Sequence, residues 1–317
     1  MATGISVNVG VNQVKSSVFK APVLSCCEAD ASAMFALACG DANSPGAGFL
    51  PGWTSPQTKK GAPLLGEDAT YDNVVGAVRA AAAALKPGDV FFFTFAGHGV
   101  QTILEPDEQE TDGVNETIVL VDHMILDTFW QNVLWPSFLD GVRAVAIVDC
   151  CHAQGVLSPL AEATLSPGLV AGLITKLKQL AQGLGLLSSG PQVVPTIGNG
   201  RPTRQIEDNE RRKELAAFQT EIYDPQRVVP SPPTPLNVSR ILLSACQANE
   251  DAAEGVSHGM FTQALLNVWN SGGFQGDYDK FIADIESSIS NPNQHPGITK
   301  EGAPDFSAEH PFTVNQP

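Results

Sequence analysis

Residues Val90–Ala96 (VFFFTFA) constrain the fold more than any other stretch of the chain. Apart from Thr94 they are all apolar, with no alternation that would leave one face for water. The run is too short for a bilayer, which needs ~20 apolar residues in a helix. It therefore reads as a strand, Asp89–Gly97, covered on both faces, as strands of parallel sheets are. Two further runs have the same character, Arg143–Asp149 (RAVAIVD) and Arg240–Cys246 (RILLSAC). Gly4–Val11 reads as a first strand and Glu116–Val121 as a shorter one. Helical periodicity marks Cys27–Cys39, Tyr71–Leu85 (stopped by Lys86-Pro87-Gly88), His258–Trp269 and Asp277–Ile289. Asp127–Leu139 also reads as helical, with an irregular end at Pro136. Strands alternating with helices predict an α/β sandwich around a mostly parallel sheet.

One stretch breaks the alternation. Ser188–Ser239 holds eight of the 23 prolines and little apolar periodicity, so it reads as a long exposed connection. Arg201, Arg204, Arg211, Arg212 and Lys213 place five of the chain's 18 bases within thirteen residues there. The segment reads equally as a solvated loop with a short charged helix or as a protease-sensitive activation segment. Just before it, leucines at 169, 173, 177, 180 and 184 form a one-faced stripe. That stripe is expected to pack on the body rather than on lipid, since only Lys176 and Lys178 could meet headgroups.

Charge narrows the partners. Thirty-four acids against 18 bases give a formal charge of −16 over 317 residues. Such a surface repels phosphate backbones and anionic headgroups, so neither nucleic acid nor membrane is an expected partner. Residues 1–20 show no apolar core behind a basic start, the mark of a secretory signal. The six cysteines, at 26, 27, 39, 150, 151 and 246, lack a disulfide-type spacing, and a reducing, cytoplasmic compartment fits them.

The chemistry gathers at two strand ends. One apolar strand finishes in Gly97-His98-Gly99 and another in Asp149-Cys150-Cys151-His152. Parallel α/β sheets bind ligands outside the carboxyl ends of their strands, so both segments point at one crevice. A His and a Cys presented together there are a thiol nucleophile and its base, and glycine beside the His lets backbone amides approach an oxyanion. Strand alternation sends Asp149 and Cys151 to one side and Cys150 to the other, so Cys151 is the expected nucleophile and Cys150 a buried hydrophobe. No P-loop, G-x-S-x-G elbow, H-E-x-x-H or C-x-x-C pattern is present, and Gly97-His98-Gly99 lacks the third glycine of a dinucleotide loop.

Here the chain resembles a known family. His98 precedes Cys151 by 53 residues, and caspases place the pair about 50 apart. The pattern is similar to the metacaspase and prokaryotic orthocaspase branch of the caspase-like cysteine peptidases (clan CD, family C14). Leu24-Ser25-Cys26-Cys27-Glu28-Ala29-Asp30-Ala31 resembles that branch's L-x-G-C-x-N-D-A. Lys86-Pro87-Gly88-Asp89 through Gly99 resembles P-G-D…Y-S-G-H-G, and Asp112–Ile118 resembles D-G-x-D-E-T-I. Asp149-Cys150-Cys151-His152 resembles D-S-C-H. Ser244-Ala245-Cys246-Gln247, Glu254, Gly259, Phe261-Thr262 and Ala264-Leu265-Leu266 resemble the small-subunit segment.

The resemblance implies a single caspase-haemoglobinase domain with a mostly parallel six-stranded sheet between helices. Residues 1–187 would form the large-subunit-like part, 188–239 the linker and 240–317 the small-subunit-like part. It implies hydrolysis after Arg or Lys by a His98–Cys151 dyad, with no third member evident, and Gly99 and Cys151 amides as the oxyanion hole. Asp30 and Asp149 would floor the S1 pocket, where two crowded carboxylates are relieved by a cation. The bland alternative for Asp30 is an exposed acid at a helix start. Ala96 stands where the family has a pocket serine, which leaves the choice between Arg and Lys open. His152 and Cys27 read as structural.

Several metacaspases need calcium, but the family's ligand positions fall on Asn115, Asp127, Thr128 and Ser158, and most of the needed charge is missing. The acidic run Glu105–Glu116 is no EF-hand, because Val119 stands where the bidentate Glu should be. The expectation is therefore an enzyme with no metal and no cofactor. The bases at 201–213 become candidate cleavage sites of a zymogen, cut by itself or by an upstream protease. Protein or peptide substrates with a basic P1 residue and a monomeric state are expected. The rival reading from another class is a catalytically silent caspase-like scaffold; a third is a different thiol enzyme, such as an acyltransferase.

Overall fold

The computed structural model describes residues 2–15, 21–39, 53–54, 63–103, 114–151, 153, 238–247 and 250–314. The sheet is built on β1 (Gly4–Gly10). Its outer edge pairs successively with two short strands, β2 (Trp53–Thr54) and β3 (Leu64–Leu65). On the other side come β4 (Val90–Ala96) and then β8 (Arg143–Asp149) and β9 (Ser239–Ser244), all parallel. The antiparallel β10 (Gly297–Glu301) closes the far edge. The spatial order β10-β9-β8-β4-β1 followed by β2 and β3 fills six positions, five of them in parallel register. A small antiparallel sheet of β5 (Gly99–Ile103), β6 (Val114–Val119) and β7 (Met124–Leu126) begins directly after His98.

β4 shows why the apolar runs lie in the middle. All seven residues are buried, and their side chains alternate between two aromatic layers. Phe91 and Phe93 meet Phe138 and Trp130 at 4.7 Å each between ring centroids. On the opposite face Phe92 meets Phe312 at 5.4 Å, and Phe312 in turn meets Trp269 at 5.1 Å. Burying each phenylalanine contributes about 1.5–3 kcal/mol relative to exposure, so this strand is a large share of what holds the layers.

Helices α1 (Cys27–Cys39) and α2 (Tyr71–Ala84) pack on the sheet beside β1. The Thr70 hydroxyl caps α2 by accepting Asn73 N–H at 3.3 Å. α3 (Asp127–Phe129) runs on through a widened turn at Trp130–Leu134 into a tight one at Trp135–Ser137. The helix expected at 127–139 is thus present with a changing pitch, and Pro136 ends it. α4 (Met260–Trp269) and α5 (Tyr278–Ser288) cover the Phe92 face with Phe312.

α1 lies close on β1. A Cβ on Gly10 would sit 2.5 Å from the Cys27 carbonyl oxygen and 2.8 Å from Ala31 Cβ. Only glycine permits that approach, which brings the start of α1 to the carboxyl end of the sheet. The leucine stripe at 169–184 and the connection carrying the five bases lie outside the described residues, apart from Val238 and Ser239. β9 begins at Ser239, one residue before the boundary expected for the small-subunit-like part.

Candidate active site

β4 and β8 are neighbours in register, with Ala96 opposite Asp149 and the Gly97 N–H donating to the Asp149 carbonyl at 3.3 Å. The chains run on side by side past these residues, so His98 and Cys151 emerge from the same ends of adjacent parallel strands. A Cβ on Gly99 would lie 2.0 Å from the Cys151 carbonyl oxygen and 2.9 Å from Cys150 Sγ, so the two segments touch. His98, Cys150 and Cys151 are each 0 % exposed. Cys150 is thus the buried hydrophobe expected.

His98 Nε2 lies 2.7 Å from the Pro22 carbonyl oxygen. A carbonyl only accepts, so Nε2 carries the proton and Nδ1 of the neutral ring holds the lone pair that can take one. This third group has no counterpart in the sequence reading, which found only a dyad. A backbone carbonyl has no residue signature, and nothing in the sequence near Pro22 could have flagged it.

The thiol is held by the segment that follows β9. Ala252 N–H donates to Cys151 Sγ at 3.1 Å, and the sulfur reaches the Ala252 carbonyl at 3.8 Å. Burial pushes the Cys151 thiol well above the usual range, and charge on Cys246 and Asp251 adds to it; the Ala252 N–H pulls the other way. Cys246 Sγ lies 3.3 Å from the carbonyl oxygens of both Cys150 and Glu250, and its single S–H can donate to either.

Asp30 and Asp149 line one cavity with Ala96, Met34, Ile147 and Thr262. Each carboxylate is 1 % exposed, so Asp30 is not the exposed helix-start acid of the bland reading. Both are held by the segment leading into α4. Asp30 accepts the Gly259 N–H at 3.1 Å on both oxygens and lies 2.9 Å from His258 Nδ1. Asp149 Oδ2 accepts the Thr262 hydroxyl at 2.7 Å and its N–H at 3.3 Å. The cavity measures about 10 Å³, room for one water. The sequence marks His258 only as the start of a helix.

Glu254 ties the two parts of the chain together. Its carboxylate accepts the N–H groups of Ser25 and Cys26 and the Ser25 hydroxyl, capping α1 from 229 residues away. Cys27 Sγ lies 3.9 Å from the same carboxylate, in keeping with a structural role.

Of the four calcium-ligand positions only Asp127 is a carboxylate. Asp127 is buried, with Oδ2 accepting Glu116 N–H at 3.1 Å and Oδ1 accepting Thr128 N–H. Ser158, His152 and the bases at 201, 204 and 211–213 lie outside the described residues. Among the described residues no helix is long and apolar enough to cross a membrane.

A mostly parallel α/β sheet with a histidine and a cysteine on adjacent strand ends defines a caspase-type domain. The chain belongs to the caspase domain family, peptidase C14, which it matches over residues 12–311. It is 25 % identical to Metacaspase-1 of Schizosaccharomyces pombe over 254 residues, 78 % of this chain and 55 % of that protein. Against Metacaspase-1A of Neurospora crassa it is 37 % identical over 100 residues, 30 % of this chain and 21 % of that one. The chain thus spans about half, or less, of the length of these relatives. Among solved structures, protein GSU0716 from Geobacter sulfurreducens superposes with a TM-score of 0.69 at 27 % identity, covering 99 % of this chain and 100 % of that one.

Proposed function

We propose that this protein is a cysteine endopeptidase that cleaves after Arg or Lys. The observation that supports the reading is the close approach of Gly99 to the Cys151 carbonyl, which brings the backbone segments carrying His98 and the thiol together, with Asp149 of the cavity two residues before Cys151. Cys151 Sγ attacks the scissile carbonyl carbon as its proton passes to His98 Nδ1. Amides of Gly99 and Cys151 hold the oxyanion. The C–N bond breaks as His98 returns that proton to the leaving amine. Water then attacks the thioester, His98 takes its proton, and the acid product leaves with the thiol restored.

Two buried carboxylates favour a cation, and a guanidinium can meet both in bidentate fashion. A one-water cavity does not admit that side chain, so binding Arg requires the pocket to open. Full burial of His98 and Cys151 supports a zymogen, with activation by a cut after one of the bases at 201–213, in cis or by an upstream protease. Activity is calcium-independent and the protein monomeric and cytoplasmic in this reading. The charge of −16 attracts basic peptides, so kcat/KM for Arg substrates falls as salt rises.

The test is hydrolysis of an Arg-P1 fluorogenic peptide by the wild type and by Cys151→Ala, after linker cleavage and with EDTA present. Signal from the wild type alone supports the proposal. Equal signals favour the silent scaffold, and covalent labelling of Cys151 without cleavage favours an acyltransferase.

A further inference from the structure

The loop that supplies the Ala252 N–H to Cys151 leaves β9 at Ala245 and returns at Ala253. Gln294, only 1 % exposed, clasps both ends of it. Its Nε2 donates to the Ala245 carbonyl at 3.2 Å, and its Oε1 accepts the Ala253 N–H at 3.1 Å. The next residue grips the loop again from outside. His295 Nδ1 lies 2.6 Å from Glu250 Oε1, and the His295 N–H donates to Glu250 Oε2 at 2.9 Å. The loop is thereby fixed at residues 250 and 253, on either side of the amide that meets the thiol.

An amide that must find the sulfur anew in each cycle costs ordering entropy and competes with water. One held in place stabilises the thiolate without reorganisation, and a hydrogen bond to an anion is about twice as strong as a neutral one. The neighbourhood otherwise opposes the anion. Cys246 from the end of β9, Asp251 from the loop and Cys150 beside it all raise the thiol, and none of them can become positive.

We propose that Gln294 is a positioning residue for the nucleophile: it holds Ala245 and Ala253 so that the neighbouring Ala252 N–H stays on Cys151 Sγ as the thiol proton leaves. The inference rests on Cys151 being the nucleophile. It adds a role for a residue 143 positions further along the chain that touches neither substrate nor sulfur.

The experiment follows alkylation of Cys151 by iodoacetamide against pH, read by peptide mass mapping on the linker-cleaved protein. Variants are Gln294→Met, which loses both hydrogen bonds, and Gln294→Glu, which keeps the acceptor for Ala253. Tyr278→Phe is a destabilised control remote from the sulfur. In Gln294→Met the alkylation rate at pH 7 falls on the order of tenfold and its midpoint rises by about one pH unit. In Gln294→Glu the midpoint lies nearer the wild type. kcat falls with KM little changed. A wild-type midpoint in Gln294→Met, or an equal rise in Tyr278→Phe, overturns the proposal. If Gln294→Met does not fold, Gln294→Glu decides: a midpoint above that of Gln294→Asp, which is too short to reach Ala253, is the overturning result. Should Cys151→Ala retain hydrolysis, the nucleophile reading itself falls, a different outcome from an inert Gln294.

Discussion

A side chain on Gly99 would meet the carbonyl oxygen of Cys151 at 2.0 Å, well inside van der Waals contact. The atom it meets is backbone and cannot rotate away. Gly99→Ala therefore pushes β5 and the Cys151 turn apart, and the expected cost is about 1–3 kcal/mol of stability. Hydrolysis of an Arg peptide falls further than stability does, because the separation between His98 and the thiol changes. A Gly99→Ala enzyme with wild-type kcat would show that this contact does not set the catalytic geometry.

Asp30 and Asp149 test the charge of the pocket. Replacing either by Asn keeps its size while removing one charge. Hydrogen bonds to charged groups contribute about 1.5–3 kcal/mol, so kcat/KM for an Arg-P1 peptide falls roughly 10- to 150-fold. A citrulline-P1 peptide, neutral but of the same shape, is affected far less. An unchanged Arg-to-citrulline ratio would place the cation site elsewhere.

The protein loses stability in alkali. Burial raises the Cys151 thiol and the Tyr278 phenol above their ordinary values, so the folded chain keeps protons that the unfolded chain releases. Unfolding then releases protons, and stability falls as pH rises. The contribution is complete below about pH 8.5, where an unfolded cysteine begins to ionise, and the tyrosine share is lost above about pH 10. In urea titrations across this range, Cys151→Ala flattens the first slope and Tyr278→Phe the second. Tyr278→Phe also costs about 1–3 kcal/mol at neutral pH, since the Phe312 N–H donates to its oxygen at 3.0 Å. Parallel curves for wild type and both variants would contradict the assignment.

Glu254 is the cap whose removal is felt across the whole chain. Glu254→Gln leaves the helix start with a weaker, neutral acceptor, and the expected loss is about 1.5–3 kcal/mol. The urea midpoint drops with an unchanged slope, because the fold persists. The same cap, with the six residue pairs between β8 and β9, joins the residues before the 201–213 segment to those after it. Fragments cut within 201–213 therefore co-elute on size exclusion without denaturant and separate in urea. Fragments that part spontaneously would show that these contacts do not hold the parts.

Long buried elements were legible from the sequence. β4 and β8 announce themselves because a strand covered on both faces admits almost nothing but apolar residues. α1 falls on its expected limits, Cys27–Cys39, and Asp277 caps α5 where the helix was read to begin. Short or half-exposed strands were not. β10 (GITKE) is only partly buried and carries two charges, and β2 and β3 are two residues each, too short for any periodicity. The changing pitch at 127–137 follows from packing Trp130 and Trp135, 5.2 Å apart, beneath β4, which no propensity encodes.

By itself the sequence determined the class of sheet and which histidine and cysteine follow the ends of its central strands, since runs covered on both faces mark those strands and the residues after them are read directly. It also supplied both carboxylates that line the cavity. Only the tertiary structure decided what holds those groups. The Pro22 carbonyl on His98, the Ala252 amide on Cys151, the Gly259 amide on Asp30 and the Glu254 carboxylate under α1 are contacts between segments 76 to 229 residues apart. Most of the partners are backbone groups, which every residue carries alike. Their identity is invisible until folding brings them within hydrogen-bond reach.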